Sequence, residues 1–241
     1  MFNKIKLFPH NLIFILFSML YLSLVIEPHL IYQCFGTILP NANPFTTGIP
    51  FLKNSLNLPG GFVAYVSGFL SQGFYYSWLG AVIIVVLALY LSELYRQHLM
   101  ASGYTPTTAL TSVPAIIIFL IYSHYKHPLP ACLTVSLGLL CSLIFEKIPI
   151  HKSLIRTIVY CLMAAVTFWL SGAGGLSVFL LMTLMYGIFV HKDWKLTILA
   201  PFISLAIIWG FNYFLFLLPP QKAFLTLTPV SPEITAGMNT F

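Results

Sequence analysis

The stretch WLGAVIIVVLALYLSELY, residues 78 to 95, decides the fold, because it is a continuous apolar run with a single acid near its end. A helix of this length spans about 27 Å, close to the ~30 Å hydrocarbon core of a bilayer. Glu93 and Arg96 stand at i,i+3 spacing, which suits a charged pair in the lipid headgroup region. The stretch therefore predicts a transmembrane helix.

Six further apolar runs accompany this one. They predict spans near residues 11–32, 108–123, 129–145, 154–170, 176–190 and 196–218. The runs are continuous and lack the alternation of barrel strands, so we expect helices throughout. The sequence thus predicts an all-α polytopic bundle of about seven spans over residues 1–220. A loose tail with two prolines and one acid is expected at 221–241.

The composition indicates the same class of protein. The 241 residues are 59% hydrophobic and 7% charged, with a mean hydropathy of +0.93, whereas about a quarter of a soluble domain is charged. The net charge of +6 is spread over short connections, which favours contact with anionic lipid heads over nucleic-acid binding. The four cysteines lack paired spacing, so neither a disulfide framework nor a zinc site is expected, and no cofactor is implied.

The basic residues divide unevenly between the two sides of the predicted bundle. One side holds Lys4, Lys6, Arg96, Lys147, Lys152, Arg156, Lys192 and Lys195, and the other holds Lys53, Lys126 and Lys222. This asymmetry predicts a multi-pass protein of the bacterial inner membrane with a cytoplasmic N-terminus. The first run lacks the small residues that a cleaved signal needs, so an uncleaved span is expected. Membrane lipids and other membrane subunits are the expected partners.

The longest connection, residues 35–76, is expected on the outer side. Its first part contains Pro40, Pro44, Pro50 and Pro59, which predicts a loop or a short broken helix. From Gly61 onward, large apolar residues recur at helical spacing and predict an amphipathic helix that is either interfacial or re-entrant. Its apolar face is expected to consist of Phe62, Tyr65, Val66, Phe69, Leu70 and Phe74.

A glycine-rich segment, SGAGG from Ser171 to Gly175, separates the fifth and sixth predicted spans. Glycine reaches positive φ values without strain, so this segment predicts a tight, uncharged outer turn.

Few side chains are candidates for chemistry. Glu27, at the outer end of the first span, could act as a base or ion ligand, or it could hydrogen-bond near His29 at the interface. His124 and His127 have the i,i+3 spacing of a metal-binding pair, but without a third ligand no metal site is predicted, and an interfacial turn is the alternative. Asn212, inside the last span, could line a polar pathway or join two helices.

Motifs that would identify a reaction are missing from the sequence, including HExxH, GxSxG and a nucleotide-binding fingerprint. We therefore expect an integral inner-membrane protein of unassigned activity, with any site on the extracytoplasmic face. Two alternatives stay open. One is an envelope enzyme acting on a lipid-linked sugar or a lipid at the outer leaflet, with Glu27 as acid or base, and the other is a transporter subunit.

Three stretches carry a resemblance to a family. They are LPGGFVAYVSGFLSQGFYYSWLGAVII (58–84), IYSHYKHPLPACLTVSLGLLCSLIFEK (121–147) and WLSGAGGLSVFLLMTLMYGIF (169–189). Together they resemble the N-terminal membrane part of a bacterial polytopic family with a domain of unknown function. The resemblance implies an inner-membrane protein without an assigned reaction, and it implies a short or incomplete member. No catalytic residue carries over from it.

Overall fold

The computed structural model describes residues 9–30, 45, 48–123, 129–148, 153–190 and 193–216. Within these residues every regular element is helical, which confirms the predicted all-α class. The helices are α1 (Pro9–Tyr21), α2 (Ile49–Leu56), α3 (Gly61–Ser71), α4 (Ser77–Ala101), α5 (Thr108–Thr111), α6 (Val113–Tyr122), α7 (Leu129–Lys147), α8 (Ser153–Phe189) and α9 (Trp194–Phe211). π-turns extend α1 over Leu22–Ile26 and α9 over Asn212–Phe216, and a 3₁₀ turn follows α3 at Gln72–Tyr75. The predicted tail at 221–241 lies outside the described residues.

Four of the described helices, α4, α7, α8 and α9, are long and apolar enough to cross a membrane. The seven predicted spans therefore do not correspond to seven such helices. The first predicted span and the stretch Thr108–Tyr122 form shorter apolar helices. The second stretch consists of α5 and α6, which are separated by Ser112. Pro114 lies in the first turn of α6, where its missing N–H costs no helical hydrogen bond. The predicted spans near 154–170 and 176–190 both lie in α8.

Helix α8 is a hairpin whose two arms are residues 153–171 and 173–189. Gly172 breaks the helix with φ 68° and ψ −165°, a backbone conformation that is nearly exclusive to glycine. Arg156 Nη1 lies 3.9 Å from Asp193 Oδ2, whereas a straight helix would separate these positions by about 55 Å. The rings of Tyr160 and Phe179, one on each arm, stack with their centroids 5.3 Å apart. The two arms are therefore antiparallel.

The reversal at Gly172 defines the two ends of the bundle. We call the end that contains Gly172 and Trp169 the turn end, and the opposite end, with Arg156 and Asp193, the charged end. Residues 171–176, where a tight outer turn was predicted, are all buried. The burial follows from packing, because the residues between α2 and α3 lie against the turn through a hydrogen bond from Gly60 N to Trp169 O of 3.1 Å.

Two apolar clusters form the core, and α7 contributes to both. The first joins α1, α4, α6 and α7 around Leu22, Ile84, Ile118, Tyr122 and Leu129. The second joins α7, α8 and α9 around Phe145, Tyr160, Phe168, Phe179 and Leu196. Helix α7 approaches α8 so closely that a Cβ on Gly138 would lie 2.7 Å from the carbonyl oxygen of Gly175. Small residues at such contacts are what close packing of helices requires.

Ion pairs concentrate at the charged end. Arg156 Nη2 lies 3.3 Å from Glu146 Oε2, so this guanidinium joins the end of α7 to the beginning of both α8 and α9. Lys147 Nζ donates to Gln97 Oε1 of α4 at 3.2 Å. The charged end thereby holds α4, α7, α8 and α9 together by polar contacts.

Helix α3 packs against the bundle through small side chains. Val63, Ser67 and Ser71 face α7 and α8, while Phe62 and Phe69 are exposed. The serine hydroxyls donate to carbonyl oxygens of their own helix, for example Ser67 Oγ to Ala64 O at 3.0 Å. The small side chains can therefore be buried without an unpaired hydroxyl, and the large apolar side chains are left to face outward.

Candidate functional site

A groove at the turn end of the bundle is the candidate site. Its volume is about 710 Å³, which lies within the ~300–1,000 Å³ of typical ligand sites. Its walls are Ile49, Leu52, Lys53, Leu56 and Asn57 of the α2 region, Trp169 of α8 and Phe211 of α9. The α2 positions 49, 52, 53 and 56 have i, i+3, i+4, i+7 spacing, so they form one face of that helix. One helix face thus makes one whole wall.

The groove exists because α2 is held against the α8 hairpin. Trp169 Nε1 donates to Leu56 O at 3.3 Å, and Trp169 O accepts from Gly60 N at 3.1 Å. Gly60 has φ 75°, which only glycine adopts readily. Trp169 therefore both fixes α2 and lines the groove.

The opposite face of α2 packs on aromatic rings. Phe45 lies edge-on to Phe51 of α2 at 5.4 Å and contacts Tyr65 of α3 at 5.2 Å between ring centroids. Pro50 stands in the first turn of α2, where a proline does not interrupt a helix. The segment that was predicted as loop or short broken helix therefore contains a defined helix at 49–56.

The groove is apolar except for one charge and one amide. Lys53 is exposed and forms no ion pair with any carboxylate in the described part of the chain. Asn57 follows four residues later, so both polar side chains lie on the same edge of α2. Ile49 is 82% exposed. Exposing an apolar side chain of this size to water costs free energy. The arrangement suits an amphiphile, and the lining residues that the structure describes include no acid, serine or cysteine.

Glu27 and His29, the predicted acid or base and its neighbour, lie elsewhere. Glu27 ends the π-turn after α1 with φ 48°, and its N–H donates to Leu22 O at 3.0 Å. Its side chain is exposed. His29 lies edge-on to Tyr75, with ring centroids 5.9 Å apart. Neither residue lines the groove.

Of the other predicted candidates, the structure describes only Asn212. His124 and His127 lie outside the described residues. Asn212 is 5% exposed and begins the π-turn directly after Phe211, a groove residue. Within the described part of the chain, no group of three or more His, Cys, Asp or Glu side chains could hold a metal ion.

A buried polar junction surrounds His98 and was not predicted from the sequence. Its Nε2 lies 3.0 Å from Leu139 O and its Nδ1 lies 2.8 Å from Tyr186 Oη. A carbonyl oxygen only accepts, so Nε2 carries the proton. In the neutral ring Nδ1 is then an acceptor for the Tyr186 hydroxyl, which also lies within donating distance of the backbone oxygen of His98 at 3.2 Å. Ser142 Oγ donates to the same carbonyl at 2.8 Å and lies 3.3 Å from Nε2.

A signal for His98 was present in the sequence. The buried residues of α4 include Ile84, Leu87, Leu91, Leu94 and His98, which recur every three or four positions. The buried stripe therefore extends beyond Tyr95, where the predicted span ended, and a histidine continues it. A histidine on such a stripe predicts a buried, hydrogen-bonded ring.

Comparison with known proteins gives one match. A family model described as "Family of unknown function (DUF6057)" matches residues 3–236. No curated protein and no solved structure matches the chain.

Proposed function

We infer the function from the structure itself, since the chain belongs to a family of unknown function, DUF6057. We propose that it is an integral membrane protein that binds a membrane lipid in the groove between α2, Trp169 and Phe211. The observation that carries this proposal is the α2 wall, on which the exposed Ile49 and the half-buried Leu52 and Leu56 surround a lysine.

Seven crossings of the bilayer are part of the proposal. The two arms of α8 are antiparallel and are about 28 Å and 25 Å long at 1.5 Å per residue, so each is long enough for one crossing. When the two arms of α8 are counted separately, the four long helices provide five crossings. The two shorter apolar helices, Ile15–Ile26 and Thr108–Tyr122, supply the remaining two.

The charge distribution supports an orientation. Arg96, Lys147, Arg156 and Lys195 lie at or beside the charged end, whereas Lys53 lies at the turn end. Because cytoplasmic loops are enriched in Lys and Arg, we propose that the charged end is cytoplasmic and that the turn end faces outward. The N-terminus is then cytoplasmic, in the inner membrane of a bacterium.

This orientation puts the groove at the outer boundary of the bilayer. An apolar wall there is in contact with acyl chains, while a lysine in the same wall extends to the headgroups. Membrane lipid is the ligand that is always present at this position. The described lining offers an apolar surface, an ammonium group and an amide, so we propose binding as the activity of this groove.

Fluorescence quenching tests this function. Trp78, Trp194 and Trp209 are 63%, 61% and 67% exposed, so they can be replaced by phenylalanine to leave Trp169 alone. The purified protein in detergent is titrated with phosphatidylcholine that carries bromine on its acyl chains. We expect Trp169 to be quenched saturably at a few lipids per protein.

Two variants and one control sharpen the result. Ile49→Gln should weaken the quenching, because it removes apolar wall area. Val86→Gln should not, because Val86 is 59% exposed on α4 but does not line the groove. A protein that retains only Trp194 reports non-specific lipid contact. Quenching of Trp169 that never saturates, or that matches quenching of Trp194, would contradict the function.

A further inference from the structure

We propose that the groove selects an anionic phospholipid, with the lipid phosphate bound by Lys53. This inference rests on the proposed lipid binding and adds the chemical class of the lipid. It follows from how charge is placed on the α2 wall.

Lys53 stands in the middle of the apolar wall and is free to bind an anion. It forms no ion pair with a described carboxylate. Its ammonium group offers three hydrogen-bond donors, and it is the only charged side chain among the residues that line the groove in the described part of the chain. A negative group that enters the groove therefore has one charged partner, and none of the described acids neutralises it.

Asn57 and Trp169 define where the headgroup can bind. The indole N–H of Trp169 already donates to Leu56 O, so it is committed to holding α2. The exposed amide of Asn57 lies one helical turn after Lys53 and can hydrogen-bond a headgroup hydroxyl. The polar edge formed by Lys53 and Asn57 is thus suited to a phosphate with a neutral polar substituent.

The remaining lining accounts for the rest of the ligand. Leu52, Leu56 and Phe211 supply an apolar surface beside the polar edge. An acyl chain on this surface keeps the phosphate near Lys53, which an exposed ammonium alone would bind weakly. The groove therefore favours a lipid over free phosphate.

Net charge distinguishes the possible lipids. A zwitterionic headgroup carries its own cation beside the phosphate, which reduces the attraction to Lys53. An anionic headgroup keeps its charge uncompensated. One lysine near a lipid surface changes the affinity for anionic lipid about fivefold, and salt reduces this preference.

The experiment uses the protein in which Trp169 is the only tryptophan. It is titrated in detergent with brominated phosphatidylglycerol and, separately, with brominated phosphatidylcholine of the same acyl chains. We expect half-saturation at about fivefold less phosphatidylglycerol. Lys53→Gln should abolish this preference, because phosphatidylglycerol then loses more affinity than phosphatidylcholine does. Lys195→Gln, an exposed lysine on α9 outside the groove, is the control and should keep the preference.

The other outcomes are distinct. Equal half-saturation by both lipids, or a preference that persists in Lys53→Gln, would overturn the selectivity while leaving lipid binding intact. Absence of saturable quenching by either lipid would overturn both proposals. Glycerol phosphate without acyl chains should not displace the lipid at millimolar concentration. Displacement by it would show that the site takes free phosphate and would refute a lipid site.

Discussion

The Nδ1 atom of His98 lies 2.8 Å from the hydroxyl oxygen of Tyr186, 88 residues later in the chain. This contact joins α4 to the second arm of α8. Through Nε2 the same imidazole contacts Leu139 O of α7. One buried side chain therefore connects three of the four longest apolar helices.

Replacing Tyr186 by phenylalanine should destabilise the bundle. The change leaves Nδ1 of His98 without a donor, and buried interhelical hydrogen bonds contribute roughly 0.5–2 kcal/mol in membrane proteins. Denaturation in detergent with increasing SDS measures the loss. Tyr104→Phe is the matched control, because Tyr104 is 70% exposed. Equal unfolding of the two variants would show that the hydrogen bond contributes nothing.

Gly172→Ala should destabilise the α8 hairpin. The φ of 68° and ψ of −165° at this position are strained for any residue with a Cβ, at about 1–3 kcal/mol. Gly210→Ala is the control, since no atom lies within 4 Å of an added Cβ there. We expect a lower thermal midpoint for the first variant and little change for the second. If the thermal midpoints of both variants equal that of the parent protein, the positive φ at Gly172 and the chain reversal there are contradicted.

Removing the guanidinium of Arg156 should cost more than removing that of Arg96. Arg156→Gln removes a cationic partner of Glu146, whose side chain is 6% exposed, and also the cation next to Asp193, so we expect a loss of about 2–4 kcal/mol. Arg96→Gln breaks a pair whose side chains are 42% and 38% exposed, so the loss should stay below about 1 kcal/mol. SDS unfolding compares the two variants directly. The reverse order would refute a structural role for the Arg156 cluster.

Lys53→Cys and Lys195→Cys should react with a membrane-impermeant maleimide from opposite sides. Both positions are exposed in the structure, and the proposed topology puts residue 53 outside and residue 195 in the cytoplasm. The four natural cysteines are first replaced by alanine to give an unreactive background. In intact cells only the first variant should be labelled, and lysis should expose the second. Labelling of both in intact cells would contradict the orientation.

Helices α4 and α7 could be predicted from the sequence because each is a continuous apolar run. The end of α4 could not be predicted, since Glu93 and Arg96 were assigned to the headgroup region. Their salt bridge of 2.6 Å instead lies within the helix, which continues to Ala101. A pattern of polarity alone does not distinguish a helix end from a helix that extends beyond the lipid.

The packed face of α3 could not be predicted from its polarity. The apolar face was predicted to lie at the membrane interface or in the bilayer, and where lipid is the solvent Phe62 and Phe69 lose nothing by facing outward. The small residues Ser67 and Ser71 then take the packed positions. Size, more than polarity, decides which face of such a helix is buried.

The groove was only partly predictable. The spacing of Ile49, Leu52, Lys53 and Leu56 was visible in the sequence, but four nearby prolines favoured a loop. Trp169 and Phe211 come from positions more than a hundred residues later. Their approach to α2 depends on tertiary packing that no local pattern encodes.

The α8 hairpin also has a consequence for biosynthesis. Between Arg156 and Lys192 the sequence contains no Asp, Glu, Lys or Arg. At the Gly172 end, therefore, neither arm has a charged residue that would determine its orientation during membrane insertion. In the proposed topology the two arms must enter the membrane as one unit, and the basic residues that flank the pair determine its orientation.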